Sequence, residues 1–530
     1  MSANETKKAV YARTAIVLSS FAFRLPELVH AREVNSDAAI VGLQAMHLAR
    51  GELSAFLWGS GYQSAADAYW AVPFFSVLGP NPVALVLSAL TLHTIATLAV
   101  FSFAERHAKL ARLPNPSFAA ALLSLPLVFT TAAIHTYALY PPRQLSITCA
   151  MIALVLADRA VSSKRPWLAF ASAGFLASFA CAADPYALVF APLVGLSVLA
   201  ASVDSEDGSR LPLARASARI FAKRLFSGGL GAVLGLVPLL LLWRSSGAKL
   251  GVTNTDSSRF AHNLELFTRD CGPWAFGSKS YYARHMMDYA PWEPPAAYTL
   301  FAKGAVCIFL AFFPAAALLS LFAKHLSYAT RRAGIVGFAA LPLTLYGFMT
   351  SVMVMDHFSM RYLASVPLLV PFALAPLLAT LGPRKLAALL APTLIAAGVS
   401  GWVSFGPDVD GPFVARRAPG PTDEDRVTAF LNERGVESAM ADYWTSYRVS
   451  FVSAEKLRVV PTHAAQDRYA PYRRAFEAAG KVAYLVDPLR TGESPDAVGE
   501  ALAKGDLTGK GRVERASVGR FTVFVVDRTH

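Results

Sequence analysis

Charge is scarce in this chain. Asp, Glu, Lys and Arg make up only 16% of its 530 residues, against roughly 25% in a soluble domain. Cysteine is scarce too. Cys149, Cys181, Cys271 and Cys307 are the whole set, too few for a disulfide framework, and no Cys-x-x-Cys or Cys/His spacing offers a metal site. The signatures of soluble enzymes are missing: no G-x-x-x-x-G-K phosphate loop, no G-x-G-x-x-G, no H-E-x-x-H and no G-x-S-x-G. No internal repeat is visible. The first hydrophobic segment has no small-residue cleavage site and reads as an uncleaved anchor.

What is abundant is apolar. The chain is 54% hydrophobic, with a mean hydropathy of +0.41. Runs of roughly 20 apolar residues, enough to cross about 30 Å of hydrocarbon, recur along it. They predict a mainly α, polytopic membrane bundle of about eleven spans. These lie near 13–31, 81–103, 117–135, 144–160, 166–182, 186–202, 225–243, 300–322, 334–354, 362–380 and 388–405. The pair flanking Asp184-Pro185 reads either as a tight hairpin or as one broken segment.

Charge sets the orientation. With the N-terminus inside, the basic clusters at 7–13, 106–112, 159–165, 210–224, 324–332 and 384–385 all fall in short inside loops, as the positive-inside rule requires. These loops supply the net charge of +13; beyond residue 405 basic and acidic residues are equal in number. A nucleic-acid surface is therefore not supported. The inside loop 203–224 reads as a solvated basic helix.

Two units follow: a membrane unit over 1–405, with outside loops at 32–80 and 244–299, and an outside tail over 406–530. The tail is predicted to be a small α/β domain. Thr422 and Asp425 have capping-box spacing. "KVAYLVD" and "RFTVFVVD" are strand-like. Ser494-Pro-Asp is a helix start. A Gly/Pro-rich linker precedes it. Within that linker Asp408-Val-Asp410 matches a metal-binding D-x-D pattern only at a length where chance matches are common. The glycines of "GGLGAVLG", Gly228 to Gly235, are spaced for helix packing.

The densest polar chemistry follows the first span, in "EVNSDAAIVGLQAMHLARGELSAFLWGSGY", Glu33 to Tyr62. Ser36 is placed to cap a helix with Asp37 in its first turn, favourable at the positive dipole end. Asp37, Gln44 and His47 fall near one face. The other positions are apolar, which predicts an amphipathic helix lying in the membrane interface. An aromatic, glycine-rich turn with Trp58 and Tyr62 follows. A second short helix then carries Asp67.

Arg24, Asp37, Gly51-Glu52, Trp58-Gly59, Tyr62, Asp67, Pro73 and "SVLGPNPVALVLSAL" stand in the order and spacing of a known pattern. The segment 34–90 resembles the first periplasmic loop of GT-C glycosyltransferases, in particular bacterial relatives of protein O-mannosyltransferases and aminoarabinose transferases. Two features depart from it: Asp37-Ala38 replaces the usual Asp-Glu pair, and the "KPP" after the tyrosine is missing. The donor identity therefore stays open.

The resemblance implies a bacterial inner-membrane enzyme that takes a sugar from a polyprenyl-phosphate donor. The acceptor would be a glycan, a lipid or a protein at the outer face. It implies an inverting single displacement with Asp37 as general base and Asp67 as a second acidic group. Arg143 and Arg361, at outer ends of spans, would hold the phosphate. His357, Tyr62, Trp58, Gln44 and His47 are further candidates for substrate contact. Arg259, Arg269, Lys279, Arg284 and His285 of the second loop are weaker ones. Tyr443, Trp444 and Tyr447 in the tail are candidates for glycan stacking. No cofactor or protein metal site is predicted; the sequence leaves a divalent cation open. The competing readings are a transporter, flippase or polymerase of lipid-linked glycans, for which Asp184 is the residue to watch, and an inactive glycan-binding relative.

Overall fold

The computed structural model describes residues 3–131, 139–205, 215–246, 255–281, 291–292, 294–406, 409–411, 414–418, 420–488, 494–505 and 512–528. Among these residues, seven helices are long and apolar enough to cross a membrane. They are Pro82–Leu110, Gln144–Ser162, Pro166–Ala183, Ser217–Pro238, Ala296–Phe322, Tyr328–Thr350 and His357–Val403. The chain is a multi-pass membrane protein, mainly α, with a small mixed sheet near its C-terminus.

Length and apolarity alone do not recover eleven spans, and the reasons are local. The first helix runs Ala3–Ala22 and resumes after Arg24 as the short Leu25–Val29, so no single helix covers 13–31. The third stops at Val128 after 13 residues, just past Pro126; positions 132–138 of that expected span lie outside the described residues. The last two expected spans form one element, Ser365–Val403. It has 39 residues, and Gly382 inside it has φ 75°. A straight helix of that length would reach about 58 Å, nearly twice the hydrocarbon core, so the break at Gly382 divides it into two crossings.

The Asp184 region is a hairpin. Asp184 accepts from the N–H of Tyr186 and starts a short 3-10 turn. The chain then returns through Ala191–Ala201 to Asp204. Asp184 and Asp204 sit at opposite ends of the bundle, as their partners show. Asp184 pairs with Arg143, the residue before helix Gln144–Arg159. Asp204 pairs with Arg332 at 2.8 Å, which also holds Asp158 at 2.7 Å near the other end of that helix. Arg106 and His107 join Asp158 at 3.0 and 3.2 Å. Arg106 and Arg332, expected among the inside-loop charges, are thus consumed in a buried network that ties four helix ends together.

The glycine stripe is a packing surface. A Cβ on Gly231 would stand 1.9 Å from the Ala171 carbonyl oxygen, and one on Gly235 2.3 Å from that of Phe175. Only glycine lets helices Arg215–Ser246 and Pro166–Ala183 approach so closely.

In the tail, five strands lie in the order Arg458–Pro461, Ser438–Ala441, Lys481–Val486, Phe521–Asp527, Arg512–Val518. The first three run parallel and the last two antiparallel to their neighbours. The Thr422 capping box and the Ser494 cap both form. One face packs its own core around Val427, Leu431, Val459 and Val523. The other face shares a core with the first loop: Phe451, Tyr472 and Tyr484 cluster with Ala38, Val41 and Leu57.

That shared core corrects the expectation of an interfacial helix. Ser36–Ala49 is buried at Ser36 and at every residue from Ala38 to Leu48. The tail covers the face that lipid headgroups were expected to cover. The cap also shifts by one: Asn35 accepts from Ala38 N–H, and Ser36 instead donates to the Trp444 carbonyl at 2.8 Å.

Candidate active site

The first-loop helix and the tail helix Tyr443–Val452 run in the same direction, side by side. Asp37 meets Tyr443, Gly42 meets Phe451 and His47 meets Glu455 in step. Gly42 allows this, since a Cβ there would fall 2.5 Å from the Phe451 ring. The start of both helices opens onto a cavity of about 210 Å³. Asp37, Trp58, Tyr62, Arg143, Arg361, Tyr362, Tyr443 and Arg468 are among its lining residues. The first loop, the entries of two membrane helices and the tail all contribute.

Asp37 is half-buried, and its Oδ1 accepts from the Tyr443 hydroxyl at 2.6 Å. Burial, and then the charge of Asp37, push the Tyr443 phenol far above its ordinary range, so it stays protonated and donates. Arg468 donates to the same hydroxyl at 3.3 Å and to the Gly59 carbonyl at 2.9 Å.

Opposite chemistry gathers around Tyr362. The Arg143 and Arg361 guanidiniums lie 5.5 and 5.1 Å from its ring centre, and Arg361 donates to its hydroxyl at 3.3 Å. Arg143 also donates to Asp184 at 3.1 Å, and Gln63 donates to that same carboxylate. The Arg143 backbone has φ 113°, a region that side-chain-bearing residues seldom occupy. Asp67 holds it there. Its two oxygens accept from the N–H groups of Arg143 and Leu145, both at 3.0 Å. Burial raises the Asp67 carboxyl to about 6 despite these bonds.

The structure thus sorts the candidates. Asp37, Arg143, Arg361, Tyr62 and Trp58 line the cavity. Asp67 does not: expected as a second acidic site group, it is buried with both oxygens committed to backbone. Gln44 braces the loop instead of meeting a ligand, donating to the Phe56 carbonyl at 2.8 Å. His47 lies outside the cavity, between Glu52 at 2.8 Å and Glu455 at 2.7 Å. His357 also lies outside it, with its ring edge against Trp274. In the second loop Arg259 donates to the Val354 carbonyl, and Arg269 and Lys279 pair with Asp270. Arg284, His285 and Asp408 lie outside the described residues, while Asp410 pairs with Arg416 in an exposed hairpin. Of the tail aromatics, Tyr443 reaches the cavity and Tyr447 is core. Arg468 and Tyr362 also line the cavity and were not among the candidates. Among the described residues no three His, Cys, Asp or Glu side chains converge as a metal cage.

The fold has counterparts among solved structures. No protein-family model matches the sequence, and no curated protein sequence does either. ArnT from Cupriavidus metallidurans, an aminoarabinose transferase, is similar in its apo state, with a TM-score of 0.54 and 12% identity over 97% of each chain. The same protein bound to undecaprenyl phosphate has a TM-score of 0.53 and 11% identity, covering 99% of this chain and 98% of that one. At such identity the likeness speaks for the fold alone.

Proposed function

We propose that this chain transfers a sugar from a polyprenyl-phosphate donor to a hydroxyl on a glycan, lipid or protein, at the outer face of a bacterial inner membrane. The observation that carries this reading is one cavity lined by a carboxylate, Asp37, and by the guanidiniums of Arg143 and Arg361, with Arg468 as a third. The similar ArnT structure with undecaprenyl phosphate supports the donor class. The basic residues at the far end of the bundle support a cytoplasmic N-terminus, which leaves the cavity and tail periplasmic.

Asp37 takes the proton of the acceptor hydroxyl through Oδ2. The acceptor oxygen bonds to the anomeric carbon on the face opposite the phosphate. The carbon–oxygen bond to phosphate breaks, and polyprenyl phosphate leaves with the electron pair. Arg143 and Arg361 meet its added charge, and each can present paired N–H groups to phosphate oxygens. Inversion at the anomeric carbon follows from a single displacement.

The test uses the full chain in lipid nanodiscs and proteoliposomes. Radiolabelled undecaprenyl-phosphate pentoses and hexoses are supplied with bacterial envelope extract as acceptor, with and without EDTA. Label joined covalently to the extract supports transfer. Label carried across the liposome membrane unchanged would identify a transporter, and label bound but never moved an inactive relative.

A further inference from the structure

The tail approaches the cavity with two side chains, Tyr443 and Arg468. We infer that they are positioning residues for Asp37, so that the active site is incomplete without the tail. This rests on the reading of Asp37 as the base.

A free Asp carboxylate rotates about its side-chain bonds and can offer either oxygen. Here the Tyr443 hydroxyl holds Oδ1 at 2.6 Å. Rotation is thereby limited, and Oδ2 is left for an acceptor. The phenol is itself held. Arg468 donates to its oxygen at 3.3 Å and anchors to the Gly59 carbonyl at 2.9 Å. Its own backbone N–H donates to the Tyr447 hydroxyl at 2.5 Å. The chain of contacts Gly59–Arg468–Tyr443–Asp37 runs from first loop to tail and back to first loop. A role in docking alone would not need it, because the Phe451 ring over Gly42 and the Ser36–Trp444 bond already fix the two helices. Tyr443 is partly buried and lines the cavity, whereas Tyr447 is fully buried in the core and does not. Small misplacements of a reacting group cost up to about 100-fold in rate, and this is the loss that the contacts prevent.

The experiment compares the full chain with Tyr443→Phe and Arg468→Lys in nanodiscs. It measures kcat and KM with radiolabelled undecaprenyl-phosphate sugars and binding of undecaprenyl phosphate. Tyr443→Phe keeps the ring and removes the donor. The expected result is a kcat about 10- to 100-fold lower, with KM and undecaprenyl phosphate binding within twofold of the parent. Arg468→Lys keeps the charge but loses the Gly59 tether, and the expected kcat loss is smaller with the same unchanged KM. If Asp37→Asn is inactive while both tail variants keep full kcat, the positioning role is overturned and the base reading stands. If Asp37→Asn is active, both fall. A rise in KM and weaker phosphate binding with kcat unchanged would instead mark Tyr443 and Arg468 as ligand contacts, and would also overturn the inference.

Discussion

Asp67 accepts the backbone N–H of Arg143 at 3.0 Å, and that bond holds the guanidinium over the cavity. The buried carboxylate accepts from a backbone that stands at φ 113°. Asp67→Asn turns an amide N–H toward one of the two backbone donors. An unmatched buried group costs about 1–3 kcal/mol. We expect a lower thermal midpoint together with weaker undecaprenyl phosphate binding, measured by scanning fluorimetry and by titration. A drop in stability with binding intact would separate Asp67 from Arg143.

The same carboxyl makes stability depend on pH. Burial raises it to about 6 from an ordinary 3.8, so between those values the folded state binds more protons than the unfolded one. Its contribution is full below about pH 4 and is lost as pH rises toward 6. The midpoint difference between the parent chain and Asp67→Asn should change across that window and level off above it.

His47 links the first loop to the tail. Burial alone would lower its pKa, but hydrogen bonds to Glu455 and Glu52 outweigh burial and raise it. A raised folded value means stability that is present below the ordinary range near 6.5 and lost as pH climbs through the folded value. Amide protection factors across 36–49 and 443–452, taken relative to the intrinsic exchange rate at each pH, should therefore fall on going from pH 6 to pH 9. His47→Gln should flatten that dependence; an unchanged profile in the variant would remove His47 as its source.

Arg143 and Arg361 are expected to act on the donor phosphate. Charge-assisted hydrogen bonds contribute about 1.5–3 kcal/mol, so removing either guanidinium should weaken undecaprenyl phosphate binding by about 10- to 100-fold. Lysine at either position should restore only part, since it cannot present the planar fork. Equal binding by Arg361→Ala and the parent would remove Arg361 from the phosphate contacts.

Much of this was readable from local pattern. The Thr422 box, the strands 481–486 and 521–527 and the glycine stripe depend on neighbours a few residues apart, and they form as their spacing implies. Arg143 and Arg361 could be picked as charged residues at span ends, and Asp37 as a first-turn acid in the first outside loop. The rest depended on contacts hundreds of residues away. The helix Ser36–Ala49 has the composition of an interfacial helix, and what buries it is a tail helix some 400 residues later. Asp67 and Asp37 look alike in sequence, each an acid in the first turn of a short helix. Only the fold gives one to the backbone of Arg143 and the other to the cavity. Helix ends differ from the expected spans where Pro126 and Arg24 end helices that hydropathy alone treats as uniform, and Gly382 breaks one long element between two expected spans.

The most direct test of the account is single-turnover transfer by Asp37→Asn, in the full chain, with binding of undecaprenyl phosphate measured on the same sample. Asn is isosteric and can still accept from the Tyr443 hydroxyl, so the fold and the phosphate contacts should persist. The account predicts undiminished phosphate binding and a transfer rate at least about 100-fold lower, the scale of a lost general base. Transfer at the parent rate, with binding equally intact, would contradict it.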